Sequence, residues 1–394
     1  MRIIKFPSKR LDKFLSLRYY HIPKRIQEKV KKIIEDVRLY GDEALIKYTR
    51  KFDKVKLSLK QLKVSQIEIS GAYQNIEPDF VNQFKIAIEN IREFYKRDLP
   101  KSWKINREGV FLANRYVPLE KVGIYIPAGS APLVSSVYMS VIPAQIAGVK
   151  RIVLVSPPDR NGHINPYILV IADLLKVNEI YRIGGAQAIA ALAYGTKTIP
   201  AVDKIIGPGN IYVTEAKRQV FGLVDIDMLA GPTELVIIAN RLSNPDYVLA
   251  DLNAQAEHKG SLVILITNSK SLARFINENT NHINGFIILT KNLTEAIEIA
   301  NRIAPEHLQV ITNRPQKIIK EIKNAGAVFF GPFSPVALGD YIAGPSHVLP
   351  TLGTARFSSG LSIYDFLKNI HFISYSKKAL EKVNEPLEKI TSIE

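Results

Sequence analysis

The chain contains no cysteine. That absence excludes disulfide cross-links, thiolate metal ligands and a cysteine nucleophile. No apolar run reaches the roughly 18 to 20 residues that a membrane-spanning helix needs, so no membrane partner is expected. The opening residues, MRIIKFPSKRLDKF, are basic but lack a continuous apolar stretch and a small-residue cleavage site. A secretory leader is therefore not expected, and the cytoplasm is the expected compartment. Neither G-x-G-x-x-G nor a P-loop occurs, so any nucleotide would have to bind without those fingerprints. Acid is in short supply: 53 Lys and Arg stand against 37 Asp and Glu, a net charge of +16. Residues 1–100 hold 23 of those bases against 13 acids, or +10. Such a balance could signal nucleic acid. The bases are instead scattered among acids in helical patterns, as in Lys24-Arg25 and Lys29-Val-Lys31-Lys32, with no stripe of aromatics to stack on bases. A solvated surface with no nucleic-acid partner is the expectation.

What is present is an ordinary globular composition, with 46% hydrophobic and 23% charged residues. A chain of 394 residues has room for two or three domains. Ile26, Val30, Ile33 and Ile34 recur on one helical face, and a second periodic run covers about 78–96. From near residue 117 apolar strands alternate with helices. The first set of strands is 122–126, 151–155, 180–183 and 203–206; the second is 235–238, 262–266, 286–289, 307–311 and 327–330. Helices are predicted between them, among them 134–146, 166–175, 187–194, 245–258, 270–278, 293–302 and 315–324. Such alternation predicts an α/β fold of two Rossmann-like, mostly parallel-sheet domains. The expected division is an N-terminal helical segment over 1–115 that packs on the second α/β unit, a first α/β domain over 116–232, a second over 233–361, and a helical tail over 362–394. The tail is too poor in apolar residues for its own core and is expected to pack on another domain or a partner chain.

Three turns follow strands and precede helices: Pro127-Ala-Gly-Ser-Ala-Pro132, Gly184-Gly-Ala-Gln187 and Gly207-Pro-Gly-Asn210. In open α/β sheets that is the ligand crevice, although glycine and proline also make tight turns with no ligand. Polar residues gather in the second half. Gln255 and His258 sit three apart on a helix and share a side, as metal donors or, for the histidine, as a cap. Glu306 and His307 are adjacent after Pro305, where a turn could aim a carboxylate and an imidazole at one substrate as proton-transfer groups. Asp340 and His347 lie in a glycine-bounded loop, and an Asp, a Gln and a His offer mixed N/O donors suited to Zn²⁺.

The stretches VGIYIPAGSAPL (122–133), IGGAQAIAALAYGT (183–196), KIIGPGNIYVTEAKRQV (204–220), IDMLAGPTEL (226–235), DLNAQAEH (251–258), NRIAPEHL (301–308) and SPVALGDYIAGPSHVLPT (334–351) together resemble the histidinol dehydrogenase family, over roughly 20–390. The resemblance implies a homodimeric enzyme that uses zinc and NAD to oxidise L-histidinol to L-histidine through L-histidinaldehyde, in histidine biosynthesis. By motif it makes Gln255, His258 and Asp340 zinc ligands, and Glu306 and His307 the proton-transfer residues. Tyr125, Gln187 and Asn210 become NAD contacts. Thr233, where the family usually has serine, and His347 become substrate contacts, together with Gln255, His258, His307, Asp340 and Glu394. With no cysteine available, the second oxidation is expected to run through the aldehyde hydrate. Three departures accompany the match: Ala128 stands where glycine is common, and Val336 where glutamate is common. The family pattern also continues beyond Glu394 to a histidine that ligates zinc across the dimer. A site completed by water or substrate is expected here, with a shortened terminus or weakened activity as alternatives. Rival readings are an NAD-linked dehydrogenase of another amino alcohol and a non-catalytic paralogue.

Overall fold

The computed structural model describes residues 1–18, 21–128, 132–258 and 260–394. Its strands are β1 (Arg2–Lys5), β2 (Trp103–Arg107), β3 (Val110–Pro118), β4 (Lys121–Tyr125), β5 (Arg151–Ser156), β6 (Glu179–Arg182), β7 (Lys204–Ile206), β8 (Asp225–Ile226), β9 (Glu234–Ala239), β10 (Leu262–Thr267), β11 (Gly285–Leu289), β12 (His307–Ile311), β13 (Ala327–Phe330) and β14 (Leu367–Tyr375). They form two α/β sheets and a small antiparallel one, so the α/β fold read from the sequence is the fold observed.

The first sheet has the order β6-β5-β4-β7-β8, and every pairing in it is parallel. Helices Ser135–Ala147, Pro166–Leu174, Gly185–Tyr194 and Ile211–Val220 supply the crossovers. The strands are almost wholly apolar and buried because helices cover both faces. Helix Pro78–Arg97 joins one face through Ile88, Ile91 and Tyr95. Helices Lys24–Tyr40 and Asp42–Phe52 join the other through Val30, Ile33, Val37, Leu45 and Tyr48. Each fully buried branched side chain contributes about 1.5–3 kcal/mol.

The second sheet has the order β1-β11-β10-β9-β12-β13, again all parallel. Alternation along β9 shows how it is buried on both sides. Val236 and Ile238 enter one core with Ile264, Ile266 and Leu308, while Leu235, Ile237 and Ala239 enter the other with Val248 and Leu252. The N-terminal segment, expected on this unit, divides between the two sheets. Among its described residues, only β1 and helix Lys9–Ser16, which buries Leu11, join the second sheet.

Residues 103–118 form a hairpin where a helical segment is predicted, and β14 completes its sheet from the tail in the order β14-β3-β2. The tail thus has a strand ahead of its helix, Lys377–Thr391. No helix among the described residues is long and apolar enough to cross a membrane.

Candidate active site

In the first sheet, β4 has β5 on one side and β7 on the other, so the chain reverses its direction of growth between β4 and β7. A cavity of about 900 Å³ opens at the carboxyl ends of these strands, where an open α/β sheet places ligands. Tyr125, Gln187 and Asn210, the three expected cofactor contacts, all line it. Tyr125 ends β4; its phenol accepts a hydrogen bond from Gly185 N (3.2 Å), and burial raises its pKa to about 12. Gln187 is 1% exposed, and its buried Oε1 has no hydrogen-bond partner among the described residues. Gly185, at φ +66°, keeps that amide in place, because a Cβ there would meet Gln187 Oε1 at 2.8 Å. Gly207 has φ +111° and lies against Tyr125 O, which a Cβ would strike at 2.1 Å. Asn210 has a local duty as well: its Oδ1 caps helix Ile211–Val220 by accepting from Tyr212 N (2.9 Å) and Val213 N (3.2 Å).

The turn at 207–210 is held from below. Lys217, 2% exposed, pairs with Asp227 and also donates to Gly207 O (2.9 Å). Asp227 in turn accepts from Gly207 N (2.7 Å). Both residues fall inside quoted sequence strings, yet neither has a sequence pattern that separates a buried ion pair from a surface one. Residues 129–131 of the first glycine-rich turn lie outside the described residues; Pro127 and Ala128 line the cavity.

Gln255, Glu306, His307 and Asp340 gather around the amino ends of β9 and β12, which are neighbours in the second sheet, whereas His258 does not join them. Glu306 is buried, and its Oε2 accepts from Thr233 Oγ1 (2.6 Å) and Glu234 N (2.9 Å). Burial pushes this carboxyl up to about 7, against the pull of His307 and these donors. Gln255 Nε2 donates to Thr233 Oγ1 (2.8 Å), linking the helix Pro245–Ala256 to the same group. His307 Nδ1 lies 3.1 Å from Glu234 O, so a neutral ring carries its proton there and leaves Nε2 as the basic nitrogen. Asp340 Oδ1 stands 3.2 Å from Nε2, an ion-pair distance off the line of a hydrogen bond. Burial alone would lower the His307 pKa, but the carboxylates of Asp340 and Glu306 outweigh it and hold it at about 8. One main-chain residue, Glu234, therefore orients both members of the pair. Its own carboxylate is fixed by Arg18 (2.6 Å) and Leu352 N (3.1 Å), partners with no sequence signature.

His347 Nδ1 lies 2.9 Å from Asp340 O and its Nε2 lies 3.2 Å from Ser136 Oγ. Its pKa is lowered by burial, so the neutral ring donates to the carbonyl and accepts from the hydroxyl. His307, Asp340 and His347 border a second cavity of about 590 Å³. His258 is exposed after the helix 245–256 and lines the larger cavity instead. Glu394 is exposed beyond the terminal helix, and no hydrogen bond or ion pair ties it to this cluster among the described residues.

Among the described residues, no group of three or more His, Cys, Asp or Glu is placed to hold a metal. The expected ligand set contains only two such residues, with the Gln255 amide as its third donor. Gln255 spends its Nε2 on Thr233, and among the described residues no donor reaches its Oε1. An imidazole nitrogen, an amide oxygen and a carboxylate oxygen suit zinc with positions left open for substrate.

A family model described as histidinol dehydrogenase matches residues 18–394. Among curated relatives, the histidinol dehydrogenase of Clostridium acetobutylicum is 47% identical over 383 residues, covering 93% of this chain and 88% of that protein. That of Bacillus subtilis is 46% identical, covering 93% and 89%. The crystal structure of histidinol dehydrogenase from Elizabethkingia anophelis superposes with a TM-score of 0.94 at 38% identity, over 100% of this chain and 94% of that one. The chain is a member of the histidinol dehydrogenase family, and thus an oxidoreductase.

Proposed function

We propose that the protein catalyses the NAD-dependent, four-electron oxidation of L-histidinol to L-histidine through L-histidinaldehyde and its hydrate. The observation that supports this best is the buried Glu306–His307 pair, with one group near pKa 7 and the other near 8. Two proton-transfer groups so placed serve general acid–base chemistry at neutral pH. Substrate enters the 590 Å³ cavity beside His307, Asp340 and His347. His307 Nε2 takes the alcohol proton as hydride departs. Glu306, with Oε2 fixed by Thr233 and Glu234, takes a proton from the water that hydrates the aldehyde. After releasing its first proton to solvent, His307 takes a hydroxyl proton of the hydrate as the second hydride departs. His347, neutral and fixed by Asp340 O and Ser136, presents a rigid polar surface to the substrate.

Tyr125, Gln187 and Asn210 would hold two NAD⁺ in succession, each of which would accept one hydride. Gln255, His258 and Asp340 would hold zinc, which would supply Lewis-acid polarisation and help to orient the substrate. A second copy of the chain would cover the terminal helix, where Leu380, Val383, Leu387 and Ile390 form an exposed apolar stripe. The test is absorbance at 340 nm with histidinol and NAD⁺, before and after chelation and again after zinc is returned. Reversible loss of NADH formation supports the reading; activity indifferent to chelation removes zinc from it, and no NADH with native metal present refutes it.

A further inference from the structure

The second sheet has a ligand crevice of its own, which the catalytic cluster leaves free. β9 has β10 on one side and β12 on the other, so the chain reverses its direction of growth between β9 and β12. Glu306 and His307 lie at the amino ends of these strands. An open α/β sheet places ligands at the opposite, carboxyl ends of such a reversal. Two cavities of about 410 and 610 Å³ adjoin there, sharing Leu242 and Asn313 in their walls.

The smaller cavity lies over the ends of β12 and β13. Thr312 lines it at 6% exposure, and its buried Oγ1 has no hydrogen-bond partner among the described residues. A hydroxyl withdrawn from water without a partner is destabilising, and a ligand hydroxyl would supply one. The larger cavity lies over the ends of β9 and β10 and holds Arg241 and Lys270, which no ion pair or hydrogen bond engages among the described residues. Lys270 opens the ten-residue helix Lys270–Asn279, whose first turn has no acid. Among the described residues neither wall contains Asp or Glu, and Asp246, in the first turn of helix Pro245–Ala256, lines neither cavity. Asn240 Nδ2 donates to Asn313 Oδ1 (3.2 Å), which ties the loops after β9 and β12 and leaves the Asn313 side-chain N–H groups for a ligand.

Two uncommitted cations at a helix amino end fit one phosphate. Residues 240–244, 268–269 and 312–314 contain no glycine, in contrast to the turns of the first sheet, so the backbone here is not shaped to close around a pyrophosphate. Thr312, Asn313 and Gln316 offer the smaller cavity neutral hydroxyl and amide groups, which match the hydroxyls of a sugar. We propose that the carboxyl end of the second sheet binds a sugar phosphate, its phosphate on Arg241 and Lys270 and its hydroxyls on Thr312, Asn313 and Gln316. The site is separate from the catalytic pair, at the other end of the same strands.

The test titrates the full-length protein and its Arg241→Gln, Lys270→Gln and Thr312→Val variants calorimetrically with ribose 5-phosphate, inorganic phosphate and ribose, and records melting temperatures in parallel. Each titration is repeated with NAD⁺ at saturation. Ribose 5-phosphate is expected to bind the wild type with or without NAD⁺, with inorganic phosphate at least about tenfold weaker and ribose not binding. All three variants are expected to weaken ribose 5-phosphate at least about tenfold while melting no lower than wild type. No binding of ribose 5-phosphate, or binding unchanged in Arg241→Gln and Lys270→Gln, would overturn the proposal. Displacement by NAD⁺ would move the ligand to the cavity of the first sheet and also overturn it. Inorganic phosphate binding as tightly as ribose 5-phosphate would refute the sugar assignment. Weaker binding with a lower melting temperature in every variant would make these residues structural and overturn the site.

Discussion

Replacing Thr233 by Val tests whether the buried carboxylate of Glu306 acts as a base. The substitution keeps the shape of the side chain and removes the hydroxyl that donates to Glu306 Oε2 at 2.6 Å. Only Glu234 N then remains as a donor to that oxygen. The hydroxyl stabilises the ionised form, so its loss raises the Glu306 pKa further above its starting value of about 7. A hydrogen bond to a charge is worth about 1.5–3 kcal/mol, which corresponds to about one to two pH units. The fraction ionised at pH 7 then falls from about half to between about 1 and 10%, and turnover with it by roughly 5- to 50-fold. The assay is the pH–rate profile of NADH formation from histidinol between pH 6 and 10. Its acidic limb should move to higher pH in Thr233→Val and recover rate near pH 9. Thr233→Ser keeps the donor and should track the wild type. An acidic limb that stays in place while turnover drops evenly at every pH would refute the assignment of Glu306 as the base.

Other expectations follow from the same contacts. Glu306→Gln should abolish production of histidine while sparing stability. The folded-state pKa of Glu306 is raised from 4.5 to about 7, so its contribution to stability is present below pH 4.5 and is lost as pH rises through 7. The variant should therefore melt higher than wild type at pH 8, with the gap closing by pH 5, as scanning calorimetry can show. Lys217→Met leaves Asp227 buried without its cation beneath the 207–210 turn, and should cost about 3–5 kcal/mol in denaturant unfolding and weaken NAD⁺ binding. Leu387→Lys places a charge in the exposed stripe of the terminal helix. It should shift the protein toward monomer in light scattering; an unchanged mass would discard the tail as a dimer contact.

Much of this architecture is legible in sequence because both large sheets are buried on both faces. Strands such as Glu234–Ala239 and Arg151–Ser156 are then short, nearly continuous apolar runs bounded by turns. The antiparallel sheet is not, because every residue of Trp103–Arg107 is exposed and β14 is exposed along most of its length. With no buried face there is no alternation to read. The site divides along similar lines. Glu306 and His307 announce themselves as an adjacent pair, but their partners Thr233 and Glu234 arrive through the pairing of β9 with β12 across 73 positions. Ser136 reaches His347 over 211 positions, and Arg18 reaches Glu234 over 216.

The central claim is that this single chain carries an alcohol through two oxidations at one Glu–His pair. Its most direct test is the stoichiometry of a complete turnover: limiting L-histidinol is converted with excess NAD⁺, and NADH and L-histidine are quantified together. Two NADH and one histidine per histidinol are predicted, with no aldehyde accumulating. One NADH per histidinol with the aldehyde as end product, or no NADH at all, would contradict the account.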